Sequence, residues 1–429
     1  MSADRLSPDS MSAVLRRALA EGYLTEADPS LVLHDLGCLR DRLHTLRTTF
    51  PPSTLHAVAI KANPLLEVLR FVVGLGAGLE AASAEEVALA VAAGCPAERI
   101  IFDSPAKSLP DLRLALSRGV HLNADNLDEL ARIDSVWGTM ESRSTIGLRL
   151  NPMVGEGRIR STSTTGATSK FGTPLRPDDA TLMEAFERYP WLTGVHVHVG
   201  SQGISLEMLV EAARRTFDFV QRVNRSLGRS QIRIIDLGGG LPVAYRESDA
   251  PPSVQHYVSA LREAVPGLFE PPYRLITEFG RHLQANCGWA VSRVEYVKDV
   301  EGTRIAVLHL GADFMLRRAY NPQDWHHDLL VCDADGRLKP ERDLEPWTIA
   351  GPLCFSGDIL GRDVPLPPLA PGDLVILRDV GAYTMGMWSR HCSRGMPTVL
   401  GYEGDSPFRL LRARETLEDM VAFWAPTRS

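Results

Sequence analysis

The feature that most limits the possible folds of this 429-residue chain is a unit that occurs eight times. Each unit is a short β-branched or apolar run, then a polar or glycine-containing turn, then a stretch with helical spacing. The eight runs are 56–63, 78–83, 99–105, 120–125, 145–152, 194–202, 232–240 and 274–281. Alternating strands and helices predict a parallel sheet, and eight units within roughly 230 residues predict a (β/α)8 TIM-like barrel rather than an open sheet.

The pattern changes near residue 286, where strand-like alternation and turn sequences replace the helical spacing. The strand-like segments there are 288–300, 303–311, 346–353, 372–384 and 396–404. We predict a C-terminal all-β domain, of sandwich or Greek-key type. An isolated strand-like run at 31–36 precedes the barrel and is expected to join that later sheet. The expected division is therefore a barrel over 35–285 and a β-domain built from 1–34 and 286–429.

Composition excludes several classes of partner. The chain has 46 basic and 53 acidic side chains, a net charge of −7 and no basic block, which argues against nucleic acid and against a membrane surface. The N-terminus has no apolar signal-peptide core, and no apolar run is long enough to span a membrane, so a cytoplasmic location is expected. Six cysteines without CxxC spacing argue against a disulfide framework or a zinc site, and no metal is expected.

Polar residues follow the strand-like runs, at the end of a barrel where active sites are built. They are Lys61, Ser104, Asn123, Asn151, His198, Gly238 and Glu278. Lys61, one of five lysines, closes the apolar run of "HAVAIKAN". Desolvation at a barrel mouth lowers the pKa of an ammonium and makes its amine available as a nucleophile or Schiff-base former. The alternative is a lysine that only extends its charged end into solvent.

Three further stretches of the sequence carry groups that could bind the same ligand as Lys61. "DLGGG" at 236–240 suits a phosphate beside its backbone, or is only a tight turn. "HVHVGSQ" places His196 and His198 on one face of a strand, where His198 can offer a flat ring to a planar cofactor or simply be a core histidine. "TEFGR" delivers the Glu278 carboxylate and Arg281. A lysine, a phosphate site, a ring platform and a carboxylate for a heterocyclic nitrogen together describe a site for pyridoxal 5'-phosphate.

The order of six motifs resembles the fold-type III pyridoxal-phosphate decarboxylases, closest to the diaminopimelate decarboxylase branch, with ornithine and arginine decarboxylases more distant. The motifs are "AIKAN", "HVGSQ", "DLGGGLP", "TEFGR", "GPLCFSGD" and "DVGAYTMGM". The resemblance covers about residues 31–403. It implies a barrel joined to a β-domain, and a homodimer whose active sites are shared at the subunit interface.

The resemblance also implies roles for individual residues. Lys61 would hold the cofactor as an aldimine, His198 would stack on the pyridine ring, and Glu278 would keep the pyridine nitrogen protonated, which favours decarboxylation. Cys354 would come from the partner subunit and protonate the product carbon. The remaining cofactor-binding positions would be Ser201, Gly238, Gly239, Gly240, Gly280, Arg281 and Tyr383. Glu80 and Glu86 match positions where relatives carry acids near the cofactor, or are solvated.

The departures from the family pattern concern the substrate. Relatives of the diaminopimelate branch usually carry glutamate after the cysteine, where it binds the distal ammonium of the substrate, and this chain has Phe355. The change removes a charge-assisted contact worth about 1.5–3 kcal/mol. His391 and Cys392 replace a Tyr-Asn pair. The expected substrate-binding residues are Arg317, Arg318, Tyr320, Phe355 and Asp358.

We therefore expect decarboxylation of an α-amino acid other than meso-diaminopimelate, of the kind used in siderophore or antibiotic assembly. The alternatives are diaminopimelate decarboxylase proper, a racemase or transferase on the same scaffold, and a non-catalytic homologue.

Overall fold

The computed structural model describes residues 5–176 and 180–426. Contacts within the chain divide it into two compact units. The barrel unit comprises Arg40–Val243 and Pro251–Leu283. The sheet unit comprises Met1–Leu39, Ala244–Ala250 and Gln284–Ser429.

Helices and strands alternate through the barrel unit, and strands dominate the sheet unit. The helices are α1 (Pro8–Ala20), α2 (Leu36–Thr49), α3 (Leu66–Gly74), α4 (Ala84–Ala92), α5 (Leu109–Arg118), α6 (Leu127–Trp137), α7 (Ala180–Arg188), α8 (Leu206–Ser226), α9 (Val254–Ala264), α10 (Arg281–Gln284), α11 (Leu316–Tyr320) and α12 (Leu417–Trp424). The strands are β1 (Ser30–Asp35), β2 (Leu55–Ala59), β3 (Gly78–Ala81), β4 (Ile100–Asp103), β5 (His121–Ala124), β6 (Ile146–Asn151), β7 (Thr173–Pro174), β8 (Leu192–His196), β9 (Ile234–Asp236), β10 (Arg274–Thr277), β11 (Gly288–Val300), β12 (Thr303–Leu308), β13 (Leu329–Cys332), β14 (Glu345–Ala350), β15 (Ile359–Leu366), β16 (Leu374–Leu377), β17 (Thr398–Tyr402) and β18 (Arg409–Arg412). No helix of the described ranges is both long and apolar enough to cross a bilayer.

The barrel unit is a closed ring of eight parallel strands. Strands β2 to β6 pair in chain order, β6 pairs with β8, and β8, β9 and β10 continue the ring. It closes where β10 pairs with β2, with Ile276 opposite Leu55 and Thr277 opposite His56. Each of the eight predicted runs overlaps one of these strands, and the predicted (β/α)8 barrel is confirmed. The two-residue strand β7 is a short addition beside β6.

Strand alternation sorts apolar from polar residues along the barrel. Leu55, Ala57, Ile101, Ile234 and Ile276 form a buried apolar cluster. Because alternate residues of a strand share a face, the next position on that face is two residues further along the chain. On β4, on β9 and immediately after β10 that position holds a carboxylate: Asp103, Asp236 and Glu278. A polar layer therefore follows the apolar one at the C-terminal ends of the strands.

The sheet unit contains a mixed nine-stranded sheet, in the order β15-β14-β12-β11-β1-β17-β18, with β16 pairing β11 and β13. Strand β1 pairs antiparallel with β11 and parallel with β17, which confirms that the run at 31–36 joins the later sheet. The unit is mostly sheet as predicted, but α1, α11 and α12 add helices that the alternation did not indicate. Helix α1 packs Met11, Leu15 and Ala18 into a core with Leu33 and Trp289.

The central place of β1 predicts an asymmetry between two leucines of this sheet. Leu33 on β1 is fully buried in that core, whereas Leu410 on β18 is 54% exposed. We expect Leu33→Ala to lower the free energy of unfolding by about 2–5 kcal/mol, because it leaves a cavity. The control Leu410→Ala should change it by less than about 0.5 kcal/mol. Urea unfolding followed by tryptophan fluorescence measures both, and equal effects would contradict the position assigned to β1.

Candidate active site

Lys61 lies immediately beyond β2, on the short 3-10 turn Ile60–Ala62. Its neighbours Ile60 and Ala62 are buried, while the Lys61 side chain is 38% exposed, and its ammonium contacts the Glu80 carboxylate. Glu80 is fully buried on β3. Burial raises the pKa of Glu80 to about 8, although the charge of Lys61 acts in the opposite direction. The turn thus presents one partly exposed amine against a buried acid.

Gly280 allows the end of β10 to approach this turn. A Cβ at Gly280 would lie 2.8 Å from the Cβ of Ala62, closer than such atoms come in proteins, and 3.0 Å from the Cβ of Ala59, tighter than most such contacts. A side chain there would displace the segment that carries Lys61. The glycine of "TEFGR" therefore positions both Lys61 and the neighbouring Glu278.

Four buried groups of alternating charge, which we call the charge chain, cross the barrel interior. The Arg149 guanidinium lies 3.5 Å from the Asp103 carboxylate. The same carboxylate oxygen lies 3.5 Å from Nδ1 of His196, and Nε2 of His196 lies 3.6 Å from Glu278. Each group is at least nine-tenths buried. Arg149 also stacks on the Phe171 ring, 4.5 Å from its centroid.

The members of the charge chain set one another's ionisation. Burial opposes a charge on His196, but Asp103 and Glu278 outweigh it and raise the pKa of His196 to about 9. Burial likewise opposes ionisation of Glu278, yet His196 and Lys61 hold the pKa of this carboxyl below its ordinary value. Burial and the nearby Glu278 charge raise the pKa of Asp236 well above its ordinary value. At neutral pH Glu278 is therefore ionised, while the shift of the Asp236 pKa favours its protonated form.

His198 is the neutral histidine of the site. Burial, Arg149 and Lys61 lower its pKa to about 3, against the opposite effect of Glu278. Its Nδ1 accepts a hydrogen bond from the Gly239 N–H at 3.1 Å, so the proton of the neutral ring is on Nε2. The side chain is 20% exposed, and its Nδ1 lies 3.9 Å from Glu278. The ring is thus fixed in orientation, with part of its surface open.

The three glycines of "DLGGG" serve close backbone packing. A Cβ at Gly238 would lie 2.5 Å from the Val197 carbonyl oxygen, and one at Gly239 would lie 2.7 Å from the Glu278 carbonyl oxygen. The Gly238 N–H donates to Asp236 at 2.9 Å, and the Gly239 N–H donates to His198. Two of the three amides expected to face a phosphate are thus occupied within the protein.

Arg281 and Ser201 are the side chains nearest this turn that suit an anion. The Arg281 Nε–H donates to Ser201 Oγ at 3.0 Å, and Arg281 is only 4% exposed. This guanidinium follows Gly280 directly, at the start of α10. A buried arginine and a hydroxyl beside a glycine turn form a chemically suitable place for a phosphate group.

The residues of the barrel unit fit pyridoxal 5'-phosphate. One carboxylate oxygen of Glu278, Oε1, is buried and makes no hydrogen bond to any residue of the described ranges. An ionised carboxylate in that state lacks a donor, and a protonated pyridine nitrogen would supply one. His196, His198 and Glu278 also have a spacing that a metal ion could use. The proton that His196 retains up to about pH 9 competes with such ligation.

In the sheet unit, Cys354 and Phe355 lie on the turn between β14 and β15. Cys354 is exposed. The Phe355 ring stacks on Tyr320, with centroids 5.8 Å apart, and meets the edge of His391 at 5.5 Å. Asp358 is buried, and its two oxygens accept the N–H groups of Ala312 and Leu353, both at 2.6 Å. Asp358 was expected beside the substrate. In the structure its carboxylate fixes the backbone at Ala312 and Leu353.

The two adjacent arginines of α11 have different surroundings. Arg318 donates to the carbonyl oxygens of Leu360, Pro322 and Trp325, each at 2.8 Å. Arg317 instead lies over two rings, 4.7 Å from the centroid of Trp325 and 4.6 Å from that of Tyr383. Tyr383 has a positive φ of 59° and thus a constrained backbone. Of the pair, Arg317 is the better candidate for contact with a substrate.

Known proteins share this fold and motif order. Residues 36–285 match the family described as "Pyridoxal-dependent decarboxylase, pyridoxal binding domain". Diaminopimelate decarboxylase of Pseudomonas aeruginosa is 34% identical over 367 residues, 85% of each chain. That of Neisseria meningitidis is 30% identical and spans 94% of this chain and 96% of its own. The crystal structure of diaminopimelate decarboxylase from Helicobacter pylori complexed with L-lysine superposes with a TM-score of 0.83 at 27% identity, covering 95% of this chain and 98% of that one.

The barrel, the buried acid at its mouth and these similarities define a class: amino-acid decarboxylases that depend on pyridoxal 5'-phosphate. The chain belongs to the pyridoxal-dependent decarboxylase family.

Lys61, His198 and Glu278 were predicted from the sequence, but most of the polar layer between them was not. Asp103, Arg149 and Asp236 were not assigned a role, and His196 was noted only for its face of the strand. Asn123 connects this layer to β5, because its carbonyl oxygen lies 3.0 Å from Nε2 of His121 and its amide donates to Asp236 at 3.4 Å. For Asp103 and Asp236 the available signal was their position two places after the buried residues Ile101 and Ile234.

The charge on His196 predicts how stability depends on pH. Its pKa is about 9 in the folded protein against an ordinary 6.5. The stabilisation from the extra proton is complete below about pH 6.5 and is lost as the pH rises to about 9. We expect the free energy of unfolding to decrease over that range, and the decrease to be smaller in His196→Asn. Urea unfolding at both pH values measures it.

The wild type must be compared with His196→Asn because Glu80, with a pKa of about 8, also makes the free energy of unfolding decrease as the pH rises. The control His256→Asn changes an exposed histidine of α9 and should unfold with the wild-type pH dependence. An unchanged dependence in His196→Asn would contradict a charged His196.

Proposed function

We propose that this decarboxylase acts on an α-amino acid whose side chain lacks a distal ammonium group, and that meso-diaminopimelate is not its preferred substrate. The observation that carries the proposal is Phe355, which follows Cys354 where the family pattern has a glutamate. The ring lies between Tyr320 and His391. An ammonium placed against these rings would meet no carboxylate from this position.

The barrel residues are proposed to hold the cofactor in the following way. Lys61 would bind it covalently through Nζ, and Glu278 would face its pyridine nitrogen with the free Oε1. Neutral His198 would lie against the ring without adding a second positive charge. When bound, pyridoxal 5'-phosphate supplies an electron sink for the bond between Cα and the carboxylate. Ser201 and Arg281 would hold the phosphate beside the turn of Gly238, Gly239 and Gly240, in which the Gly238 and Gly239 N–H groups already bond within the protein.

The surroundings of Glu278 support its assignment. A carboxylate that titrated in the working range would release the pyridine proton and weaken the electron sink. His196 prevents this, since it stabilises the ionised form of Glu278 from 3.6 Å. Asp103 in turn holds the proton on His196. In this scheme His196 and Asp103 are positioning residues, and Glu278 is the residue that contacts the cofactor.

The aromatic surface around Phe355 supports the substrate class. Its members are Tyr320, Phe355 and His391, and Tyr320 is 68% exposed. Asp358, the nearest acid in the same motif, has both oxygens engaged by backbone N–H groups. The loss of a charge-assisted contact of about 1.5–3 kcal/mol would disfavour a distal ammonium. A planar neutral group or a carboxylate near Arg317 suits the surface better.

A substrate panel with carbon dioxide release as the readout tests this proposal. We expect the wild-type kcat/KM for meso-diaminopimelate to be at least about tenfold below that for the best amino acid without a distal ammonium. Phe355→Glu should raise kcat/KM for diaminopimelate by about tenfold or more, since it restores the charge partner. The control Phe355→Leu removes the ring without adding charge and should not. Diaminopimelate as the best wild-type substrate would overturn the proposal, and would assign the chain the activity its relatives are named for.

We further propose that the active form is a homodimer in which Cys354 of one subunit serves the Lys61 site of the other. The resemblance to the family supports this arrangement, and the exposure of Cys354 leaves its thiol available. In that role the thiol would donate the proton that replaces the departing carboxylate.

Mixed dimers of two inactive variants test the arrangement. Lys61→Ala and Cys354→Ala should each be inactive alone, because each lacks one residue from every site. Random mixing should restore about a quarter of the wild-type activity, since half of the dimers would contain one complete site. Lys61→Ala mixed with the double variant Lys61→Ala/Cys354→Ala is the control and should stay inactive. No recovery in verified mixed dimers would contradict donation between subunits.

A further inference from the structure

The two exposed cysteines of the chain lie next to each other in the sheet unit. Cys354 and Cys392 are both exposed, whereas Cys38 is half-buried and the other three are buried. The N–H group of Cys354 donates to Sγ of Cys392 at 3.4 Å, across a separation of 38 residues in the chain. None of the roles proposed above for active-site residues involves Cys392.

The turn that carries Cys354 is held in place by backbone hydrogen bonds. Asp358 accepts from the Leu353 N–H at 2.6 Å, and its own N–H donates to the Phe355 carbonyl oxygen at 3.2 Å. The edge contact of His391 with the Phe355 ring joins this turn to the segment before Cys392. Cys354 immediately precedes Phe355, and Cys392 immediately follows His391. The contact between these two rings therefore keeps the two cysteines near each other.

The segment that carries Cys392 is also fixed, and its backbone is strained. Cys392 and Ser393 have consecutive positive φ values of 57° and 54°, a conformation that costs free energy for residues other than glycine. On one side of the strained pair Arg390 pairs with Glu415 through two contacts. On the other side Arg394 pairs with Asp313 at 3.2 Å. Ion pairs thus hold the Cys392 thiol against the Cys354 backbone.

The Cys392 sulfur lies close to the backbone of Cys354. Because a backbone N lies about 1.5 Å from its Cα, the Cα of Cys354 is within about 4.9 Å of the Cys392 sulfur. In a disulfide that sulfur would be bonded to Sγ of Cys354, three bonds from this Cα and at most about 4.5 Å from it. Side-chain rotation and a small shift of the exposed turn would therefore bring the sulfurs together.

We propose that Cys354 and Cys392 form a reversible thiol modification site, in which a disulfide removes the Cys354 thiol and stops decarboxylation. The functional part of this proposal rests on the role proposed above for Cys354. The oxidant would be a small-molecule disulfide. One thiolate attacks it and releases one small thiol; the second protein thiolate then attacks the mixed disulfide and releases the other. Two electrons and two protons pass from the cysteines to the oxidant.

A second close thiol pair provides an internal comparison. Sγ of Cys287 lies 3.1 Å from Sγ of Cys38, but Cys287 is fully buried. Burial hinders approach of an oxidant to that pair, whereas both members of the Cys354–Cys392 pair face solvent. Oxidation should therefore select the exposed pair, although the sulfurs of the buried pair are close together.

The test treats the holoenzyme with diamide, which takes two electrons from a thiol pair. About 90% oxidation should leave about one tenth of the wild-type activity, and dithiothreitol should restore it. Peptide mass mapping without reduction should show Cys354 joined to Cys392. Cys392→Ser should be active before treatment and lose less than about twofold of its own starting activity after it. The matched control Cys38→Ser, which removes the other pair, should be inactivated like the wild type.

Three outcomes would overturn the proposal: absence of the Cys354–Cys392 peptide, equal inactivation of Cys392→Ser, or protection by Cys38→Ser instead. A mapped disulfide with undiminished activity would also overturn it, and would count against the proposed role of Cys354. The mapping requires no substrate, so a wrong assignment of the substrate leaves the thiol result intact.

Discussion

The arrangement of the barrel site depends on the charge chain that runs from Arg149 through Asp103 and His196 to Glu278. An isolated ionised group in a barrel interior would carry a desolvation penalty of several kcal/mol. Here each charge has an opposite neighbour at 3.5–3.6 Å. Removing one member would leave its neighbour buried and unpaired, at a cost of about 3–5 kcal/mol. The ionised state of Glu278 is thus a property of all four residues.

The two histidines of "HVHVG" show how position within the layer determines protonation. His196 lies between two carboxylates and keeps its proton up to about pH 9. His198 is two residues further along, receives an N–H from Gly239, and has a pKa lowered to about 3. A charged His198 would repel a protonated pyridine ring and the nearby Lys61 ammonium. Two identical side chains therefore serve different purposes, one as a buried cation and the other as a neutral surface.

Site residues could be predicted from the sequence where a polar or reactive side chain lies at the end of a predicted strand. Lys61, His198 and Glu278 could be selected because each ends a strand-like run, and strand ends of one parallel barrel meet at one face. The partners of these residues could not be predicted in the same way. His196 contacts Asp103 of β4 and Glu278 after β10, and such contacts across a barrel depend on tilt and register rather than on local pattern. The hydrogen bonds from the Gly238 and Gly239 N–H groups to Asp236 and His198 could not be predicted for the same reason.

The departures from the family pattern are connected in space. Phe355 replaces the expected glutamate, and His391 and Cys392 replace an expected Tyr-Asn pair more than 30 residues later. In the structure the Phe355 ring contacts His391, and the neighbouring Cys354 N–H contacts Cys392. A glutamate at position 355 would place a carboxylate among aromatic rings, whereas phenylalanine gives His391 a ring to pack against. The two departures are therefore better understood as one change of the surface beside Cys354 than as separate substitutions. In the proposed function Phe355 and His391 of that surface would select the substrate, while the barrel residues proposed to hold the cofactor stay the same.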